Sequence, residues 1–271
     1  MLPANFHKQL VEEGFCYLDM PLTLKQQIVR LFDLTADFFE MPQAQKSKIS
    51  WVDVMTGYRS IGIEYSATPD NPDLNESFSY KNVEEKRVFV DNFLYAREFL
   101  NQVKTVYLEM DKIATEVIVH LAKQYTDNAR HIHTDLHSWL QLNSYRPHMH
   151  QREFLQDEHE DGHIVTIITA NQKGLELRGN KGYHNVKGSL DELVVMPGEL
   201  LSLLTGNDIM PLHHRVRNHS DVKLRMAMMY FCNPNTNEGP LMPWVENDTN
   251  KGVDIIARAT SNPSRYGLPV L

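Results

Sequence analysis

The segment QDEHEDGHIVTIITA, residues Gln156–Ala170, joins a charge-rich stretch directly to an apolar, β-branched run. Charged residues usually occupy solvent-exposed loops, whereas runs of Val, Ile and Thr are typical of buried strands. His159, Asp161 and His163 lie at the junction between the two. Two interpretations fit this pattern: an ordinary acidic loop that enters a strand, or a metal site at the mouth of a β-barrel.

Short apolar runs, separated by Gly, Pro, Asn and Asp, continue on both sides of this segment from about Trp139 onward. Many runs of strand length with regular turn signals are typical of a sandwich or of a barrel closed on itself. The predicted strands are WLQLNSY, HIVTIITA, GLELRG, ELVVMPG, LLSLLTG, LHHRVRN and RMAMMYFCN. We therefore predict a β core over residues 131–235.

The first 130 residues are predicted to be mainly helical. Apolar residues recur at helical spacing from Thr23 to Met41 and again from Leu94 to Tyr125. The stretch 50–90 between them contains several Gly and Pro residues and is predicted to be a long irregular loop. We find no internal repeat, and we expect one domain over residues 1–271, of α+β class with a mainly β core. The helices should buttress that core, and residues 236–271 should form a tail that covers the site.

Composition limits the kinds of partner. The chain of 271 residues has 27 Lys and Arg against 35 Asp and Glu, for a net charge of −8. Nucleic-acid binding requires a basic face, and no basic cluster is present, so no nucleic-acid partner is expected. The N-terminus lacks the order of a secretory signal, and no apolar stretch approaches the roughly 20 residues that span a bilayer. We expect a cytoplasmic protein with no membrane partner, and the sequence does not indicate its oligomeric state.

His159 and Asp161 could supply two ligands of one metal ion. Residues two apart on a strand project to the same side, which places an imidazole beside a carboxylate. The best candidate for a third ligand is the segment MPLHHRVRN, which contains His213 and His214. Two histidines and a carboxylate suit non-haem Fe(II) with open positions for O2 and an organic co-ligand, but such ligands also suit zinc. The chain has 13 histidines, so an accidental pair in a solvated loop stays open as well.

Several motifs taken together resemble the isopenicillin-N-synthase-like superfamily of 2-oxoglutarate/Fe(II)-dependent oxygenases. HEDGHIVTIIT, PLHHRV and RMAMMYF resemble its H-x-D…H-R-V…R-x-S signature, with Arg225 eleven residues after His214. LQLNSYRP is similar to its N-Y-Y-P segment, and GFCYLD, LFDLTADFFEMPQAQKSKI and TGYRSIGIE resemble its N-terminal region. The resemblance covers the chain from Gly14 to about Pro234 and implies a double-stranded β-helix, that is, a jelly-roll or cupin-like barrel.

The resemblance also implies roles for individual residues. The residues that would bind Fe(II) are His159, Asp161 and His214. Arg225 would hold the distal carboxylate of 2-oxoglutarate with help from Tyr145, because a guanidinium fork binds a carboxylate through two hydrogen bonds. Asn143 would lie near the other carboxylate, and His213 would face the opposite side of its strand. The implied activity uses O2 to hydroxylate, desaturate or cyclise a small molecule, often amino-acid-derived or a secondary metabolite, with release of succinate and CO2.

The chain departs from the family pattern at Ala227, where the R-x-S signature has a serine. One hydroxyl donor to the co-substrate carboxylate is therefore missing, and a hydrogen bond to a charged group is worth roughly 1.5–3 kcal/mol. The departure leaves open weaker co-substrate binding, or an iron-dependent oxidase of the same fold that does not use 2-oxoglutarate. A zinc hydrolase and a non-catalytic cupin-like protein that binds a metal or a small molecule also stay open.

Substrate contacts are predicted in segments of the first half that could cover the barrel mouth, although a plain packing role fits the same residues. The predicted positions are Tyr58, Arg59, Glu64 and Phe78. Three further histidines near the predicted site are interpreted as loop residues or as groups that orient Asp161. They are His148, His150 and His163.

Overall fold

The structure, a computed structural model, describes residues 2–49, 56–82, 94–127, 132–134, 137–245 and 252–261. The helices within these ranges are α1 (Phe6–Glu13), α2 (Leu22–Glu40), α3 (Gln43–Lys46), α4 (Leu94–Tyr125), α5 (Glu199–Leu204) and α6 (Ile255–Ser261). The strands are β1 (Cys16–Asp19), β2 (Gly57–Arg59), β3 (Asn75–Lys81), β4 (Trp139–Tyr145), β5 (Phe154–His159), β6 (Val165–Ala170), β7 (Leu175–Gly179), β8 (Gly182–Asn185), β9 (Glu192–Pro197), β10 (His214–Arg217) and β11 (Arg225–Cys232).

These strands form two antiparallel sheets. The large sheet has the order β1-β9-β6-β11-β4-β3-β2, and the small sheet has the order β5-β10-β7-β8. The inner faces of the two sheets share a hydrophobic core that includes Leu155, Ile168, Leu177 and Val216. Alternation of side chains sends every second residue of each strand into this space. The arrangement is the double-stranded β-helix that the resemblance implied, and that prediction is confirmed.

Helices α2 and α4 cover the outer face of the large sheet, as predicted. An aromatic cluster joins the layers: the ring of Phe38 on α2 stacks on Phe99 of α4 at 4.7 Å between centroids and meets Phe78 of β3 edge-on at 5.4 Å. Burial of such rings is a large part of the energy that holds a helix layer on a sheet. In the described part of the chain, no helix is long and apolar enough to cross a membrane.

Two of the predicted substrate contacts belong to this outer layer. Phe78 is 1% exposed and packs against Phe38, and Tyr58 packs against the same ring at 6.1 Å. Because side chains alternate along a strand, Arg59, the neighbour of Tyr58 on β2, points to the barrel side instead. The prediction that Tyr58 and Phe78 contact substrate in the barrel is therefore wrong. Both are core residues between the sheet and the helices.

Two local predictions are also wrong. The run LLSLLTG, predicted to be a strand, forms helix α5 and the turn after it. A short apolar run does not distinguish a strand from one or two turns of buried helix. The predicted irregular loop over residues 50–90 contains β2 and β3, which extend the large sheet beyond β4. Residues 50–55 and 83–93 lie outside the described part. The described part of the first 130 residues thus supplies three strands, β1, β2 and β3, as well as helices.

The described part of the C-terminal tail packs on the helix side of the large sheet. The ring of Trp244 stacks on Tyr125 of α4 at 6.1 Å between centroids, and α6 buries Ile255 in the same core. Residues 246–251 and 262–271 lie outside the described part. Within the tail residues that the structure describes, none lines the barrel cavity, so the expected cover over the site is not found there.

Candidate metal centre and co-substrate pocket

Pairing of β5 with β10 brings His159 and His214 together. The two residues are direct partners in the small sheet, and their ring centroids are 4.3 Å apart. Asp161 follows two residues after His159, and its Oδ1 lies 3.8 Å from the Nε2 of that histidine. The candidate ligand atoms of the three residues lie within 4.8 Å of one another. One metal ion can bridge them after small side-chain rotations, and the donor set is the one predicted for Fe(II).

Backbone carbonyls orient both imidazoles. The Nδ1 of His159 is 2.8 Å from the carbonyl oxygen of Asp157, and the Nδ1 of His214 is 3.3 Å from that of Leu212. A carbonyl only accepts hydrogen bonds, so each Nδ1 carries the proton and each Nε2 keeps a free lone pair. Histidines that bind metals are typically fixed by such a bond from their other nitrogen.

The protonation states of His214 and Asp161 suit a divalent cation. Burial lowers the pKa of His214 to about 4, an effect to which His159 adds and which Asp161 opposes. Burial alone raises the pKa of Asp161, but the neighbouring histidines, His214 foremost, and the hydroxyl of Thr166 outweigh it, so that this pKa is lowered. At neutral pH His214 is therefore neutral and Asp161 ionised, as metal binding requires.

Asp161 lies in the loop between β5 and β6 rather than on a strand, because β5 ends at His159. The predicted placement of both residues on one strand is therefore wrong, although their proximity is as expected. The Oγ1 of Thr166 on β6 donates a hydrogen bond of 2.5 Å to Asp161 Oδ2, which leaves Oδ1 to face the histidines. The start of α5 packs closely against this loop at Gly198. A Cβ added there would lie 2.1 Å from the carbonyl oxygen of His163, so only glycine fits.

The remaining histidines near the site are not part of the ligand group found among the described residues. His163 is buried edge-on against Trp139, with 4.8 Å between ring centroids, and its Nδ1 is 3.2 Å from Asn233 Oδ1. His213 faces outward near Glu160, as expected from the alternation of its strand. The two other histidines, His148 and His150, lie in and just after the 3-10 turn that follows β4.

Arg225, the first residue of β11, is buried, and its guanidinium has no hydrogen-bond partner in the described part of the chain. It is 1% exposed, and among the described residues its Nε, Nη1 and Nη2 have no hydrogen-bond acceptor. Tyr145 lies directly opposite on β4, with its ring centroid 5.0 Å from the guanidinium carbon. An unpaired buried charge is costly, so this side chain is suited to bind an anion. A carboxylate, which accepts two parallel N–H bonds, matches the guanidinium fork.

Two small residues shape the space around Arg225. Gly174 has a φ of +132°, and a Cβ added there would lie 3.3 Å from Arg225 Nε and 3.1 Å from the carbonyl oxygen of Arg217. Ala227 is 1% exposed, lines the same cavity and lies across from Asn143 on β4. Its methyl group offers no hydrogen bond. Position 227, at which the family pattern has a serine, therefore lies on the wall of the pocket.

A cavity between the sheets connects the metal ligands with Arg225. Its polar lining consists of the three ligands, Arg225, Thr166, Gln141, Asn143, Tyr145 and Gln156. Its apolar lining includes Ile168, Leu175, Met196, Val216 and Met229. A molecule with an anionic group at one end and a metal-chelating group at the other fits such a lining. The structure thus brings together all the predicted metal and co-substrate residues.

The other two predicted substrate contacts lie behind the cavity wall. Arg59 is buried, its Nη2 lies 2.7 Å from Glu64 Oε1, and it also donates to Gln141 Oε1 at 3.1 Å. Gln141 and Gln156 line the cavity, and neither was predicted. Gln141 is two residues before Asn143 and on the same strand face, so alternation could have found it. Gln156 gave no signal, because β5 was not predicted. Contact of Arg59 or Glu64 with substrate stays a prediction.

Two family models match the sequence. The model described as the 2OG-Fe(II) oxygenase superfamily matches residues 136–234, which contain the candidate metal ligands and Arg225. The model described as the N-terminal region of non-haem dioxygenase in morphine synthesis matches residues 4–99. The two matches follow one another along the chain and account for both the helical first part and the β core.

Three individual proteins that are similar to this chain include a dioxygenase and a putative oxygenase. Gibberellin 2-beta-dioxygenase 7 of Arabidopsis thaliana is 25% identical over 201 residues, which are 72% of this chain and 58% of that protein. The chain thus spans less than two thirds of the length of this curated relative. Neurospora crassa T7H in complex with alpha-KG has 19% identity and a TM-score of 0.75, over 92% of this chain and 86% of that one. A putative oxygenase from Shewanella oneidensis has 18% identity and a TM-score of 0.72, over 96% and 95%. These structures share the fold.

Replacement Thr166→Val should weaken metal binding while leaving the fold intact, because it removes the hydrogen bond that orients Asp161. Loss of such a supporting bond typically reduces metal affinity by about 10–100-fold. Competition with a chromogenic chelator measures the Fe(II) or Mn(II) dissociation constant. The matched control is Thr169→Val on the same strand, whose hydroxyl bonds the carbonyl of Glu192 instead. Equal affinity in both variants would contradict the assigned role.

Proposed function

Because the chain belongs to the 2-oxoglutarate/Fe(II) oxygenase superfamily, we propose that it oxidises a small molecule with O2 while converting 2-oxoglutarate to succinate and CO2. The observation that carries this proposal is the buried guanidinium of Arg225, which has no hydrogen-bond partner among the described residues, in a cavity that also contains His159, Asp161 and His214. A metal site alone fits several chemistries. A metal site with a buried binding group for a carboxylate fits a co-substrate that is both a chelator and a dicarboxylate.

Each of these side chains has a distinct role in the proposed reaction. His159, Asp161 and His214 hold Fe(II), and Arg225 holds the distal carboxylate of 2-oxoglutarate. Bound Fe(II) supplies the activation of O2 and the oxidising chemistry. The apolar wall of the cavity excludes water, which strengthens the ion pair at Arg225 and protects reactive species from side reactions. Hydroxylation is the proposed outcome, with desaturation or ring closure as variants at the same site.

Competing functions make different demands on the pocket. A zinc hydrolase or a non-catalytic cupin-like binder has no use for an unpaired guanidinium beside the metal site. An iron-dependent oxidase that dispenses with 2-oxoglutarate is the second candidate, and Ala227 is the observation that favours it. Consumption of 2-oxoglutarate distinguishes the two oxidative candidates directly. A small-molecule substrate, amino-acid-derived or a secondary metabolite, is proposed from the family alone.

Replacement Arg225→Met should abolish productive binding of 2-oxoglutarate. Two charge-assisted hydrogen bonds are lost, each worth roughly 1.5–3 kcal/mol, so the dissociation constant should rise by at least ~100-fold. Calorimetric titration with Mn(II), which supports binding without turnover, measures the constant, and succinate release with Fe(II) in air measures activity. The variant should fold, because it removes an unpaired buried charge.

The control for this experiment is Arg178→Ala, which removes an exposed arginine that pairs with Glu158 on the small sheet. It should bind 2-oxoglutarate as the wild type does. If Arg225→Met kept wild-type affinity and succinate release, the role of Arg225 in binding 2-oxoglutarate would be contradicted. The oxidase candidate predicts instead that the wild-type chain itself neither binds 2-oxoglutarate nor releases succinate.

Replacement Ala227→Ser should tighten 2-oxoglutarate binding, because it places a hydroxyl donor on the pocket wall beside the carboxylate held by Arg225. The gain should be about tenfold, near the lower limit for a hydrogen bond to a charged group. The same titration measures it, with Ala259→Ser, a substitution in the core of the helix layer, as the control. An unchanged or weaker affinity would show that the hydroxyl at this position does not reach the co-substrate.

A further inference from the structure

A continuous chain of hydrogen bonds runs along the cavity wall from Arg59 on β2 to Asp73 in the β2–β3 loop. Its five bonds are Arg59 Nη2 to Gln141 Oε1 (3.1 Å), Gln141 Nε2 to Asn143 Oδ1 (2.9 Å), Asn143 Nδ2 to the Tyr145 hydroxyl (3.0 Å), the Tyr145 hydroxyl to Gln156 Oε1 (3.0 Å), and Gln156 Nε2 to Asp73 Oδ2 (3.2 Å). In every bond the donor lies on the Arg59 side. The chain therefore has one direction from end to end.

The two ends of the chain fix this direction. Arg59 can only donate hydrogen bonds. Asp73 is 3% exposed and also accepts bonds from the backbone N–H of Ser66 at 3.1 Å and from its hydroxyl at 2.7 Å, so this carboxylate is an acceptor. At the other end, Gln141 lies between Arg59 and the carboxylate of Glu64, which also accepts from its amide nitrogen. Reversing one amide of the chain would place two donors or two acceptors face to face.

The direction of the chain decides where the proton of Tyr145 points. A phenol has one proton, and here it is donated to Gln156. Tyr145 lies directly opposite Arg225, so a carboxylate bound to the guanidinium comes close to this hydroxyl. Ala227 leaves that wall without the serine hydroxyl of the family pattern. The Tyr145 hydroxyl is therefore the hydroxyl donor that matters most for the co-substrate. The chain of hydrogen bonds directs its proton to Gln156 instead.

We propose that Asp73 is a positioning residue that sets the affinity for 2-oxoglutarate: acting through Gln156, it holds the Tyr145 proton away from the co-substrate pocket. The identity of the ligand rests on the proposed function. A bound carboxylate and Gln156 Oε1 compete for one proton. If the Tyr145 hydroxyl keeps its hydrogen bond to Gln156, the co-substrate lacks a hydrogen bond. If the hydroxyl turns to the co-substrate, the buried amide oxygen of Gln156 loses its donor, which opposes binding. Both cases weaken the complex.

Replacement Asp73→Asn tests the proposal. The introduced amide still accepts from the Ser66 N–H, but it can now donate to the side chain of Gln156. Gln156 can then reverse, with its Nε2 toward the Tyr145 oxygen, and the hydroxyl proton becomes free for the co-substrate. The dissociation constant of 2-oxoglutarate with Mn(II), measured by calorimetry, should fall about tenfold. In a Tyr145→Phe background the same substitution should change nothing, because no proton remains to redirect.

The control is Asn71→Ala. Asn71 belongs to the same loop and ties it to Asp157 on β5, outside the chain of bonds. Loosening the loop at this point should leave 2-oxoglutarate affinity unchanged. Unchanged or weaker binding of 2-oxoglutarate by Asp73→Asn, or an equal change in affinity with and without the Tyr145 hydroxyl, would overturn the proposal and make Asp73 a purely structural residue. Binding of 2-oxoglutarate by the wild-type protein is measured first, before the variants are compared. If the wild type does not bind it, the proposed function is contradicted, and this inference falls with it.

Discussion

The antiparallel pairing of β5 with β10 is the constraint on which the site depends. It places His159 directly opposite His214, although the two residues lie far apart in sequence, and leaves Asp161 in the loop that follows β5. Strand register is set by which face of each strand is buried, and a slip of one residue would turn a histidine away from its partner. The hydrophobic interior shared by the two sheets therefore fixes the metal centre as firmly as the hydrogen bonds to its ligands do.

Buried charge explains why this interior suits both a metal ion and an organic dianion. The cavity contains the cation of Arg225, which lacks a partner among the described residues, and the anion of Asp161. Adding Fe(II) alone leaves two excess positive charges in a low-dielectric space, and 2-oxoglutarate carries two negative charges. The complete set is electrically neutral, which is the condition under which buried ions are tolerated. The polar chain that ends at Asp73 adjusts the hydrogen bonds within this balanced set.

Sequence patterns predicted the parts of the molecule in which local periodicity and burial agree. The bounds of α4 and β4 are those predicted, because apolar residues recur at helical spacing along α4 and apolar and polar residues alternate along β4. Helix α5 was missed since its short apolar run fits two structures, and the faces of Tyr58 and Phe78 were missed because β2 and β3 were not recognised. His159 and Asp161 were proposed as metal ligands from their spacing, and the choice of His214 and the role of Arg225 came from a family signature. Contacts such as Asp73 with Gln156 join a loop to a strand that no local pattern indicated, so only the folded chain reveals them.

The most direct measurement is a crystal structure of the chain with Mn(II) and 2-oxoglutarate, prepared without O2. One metal ion should be bound by His159, Asp161 and His214 together. The keto acid should chelate that ion, and its distal carboxylate should bind Arg225 through two hydrogen bonds. A metal ion held elsewhere, or a keto acid that leaves the guanidinium without a partner, would contradict it.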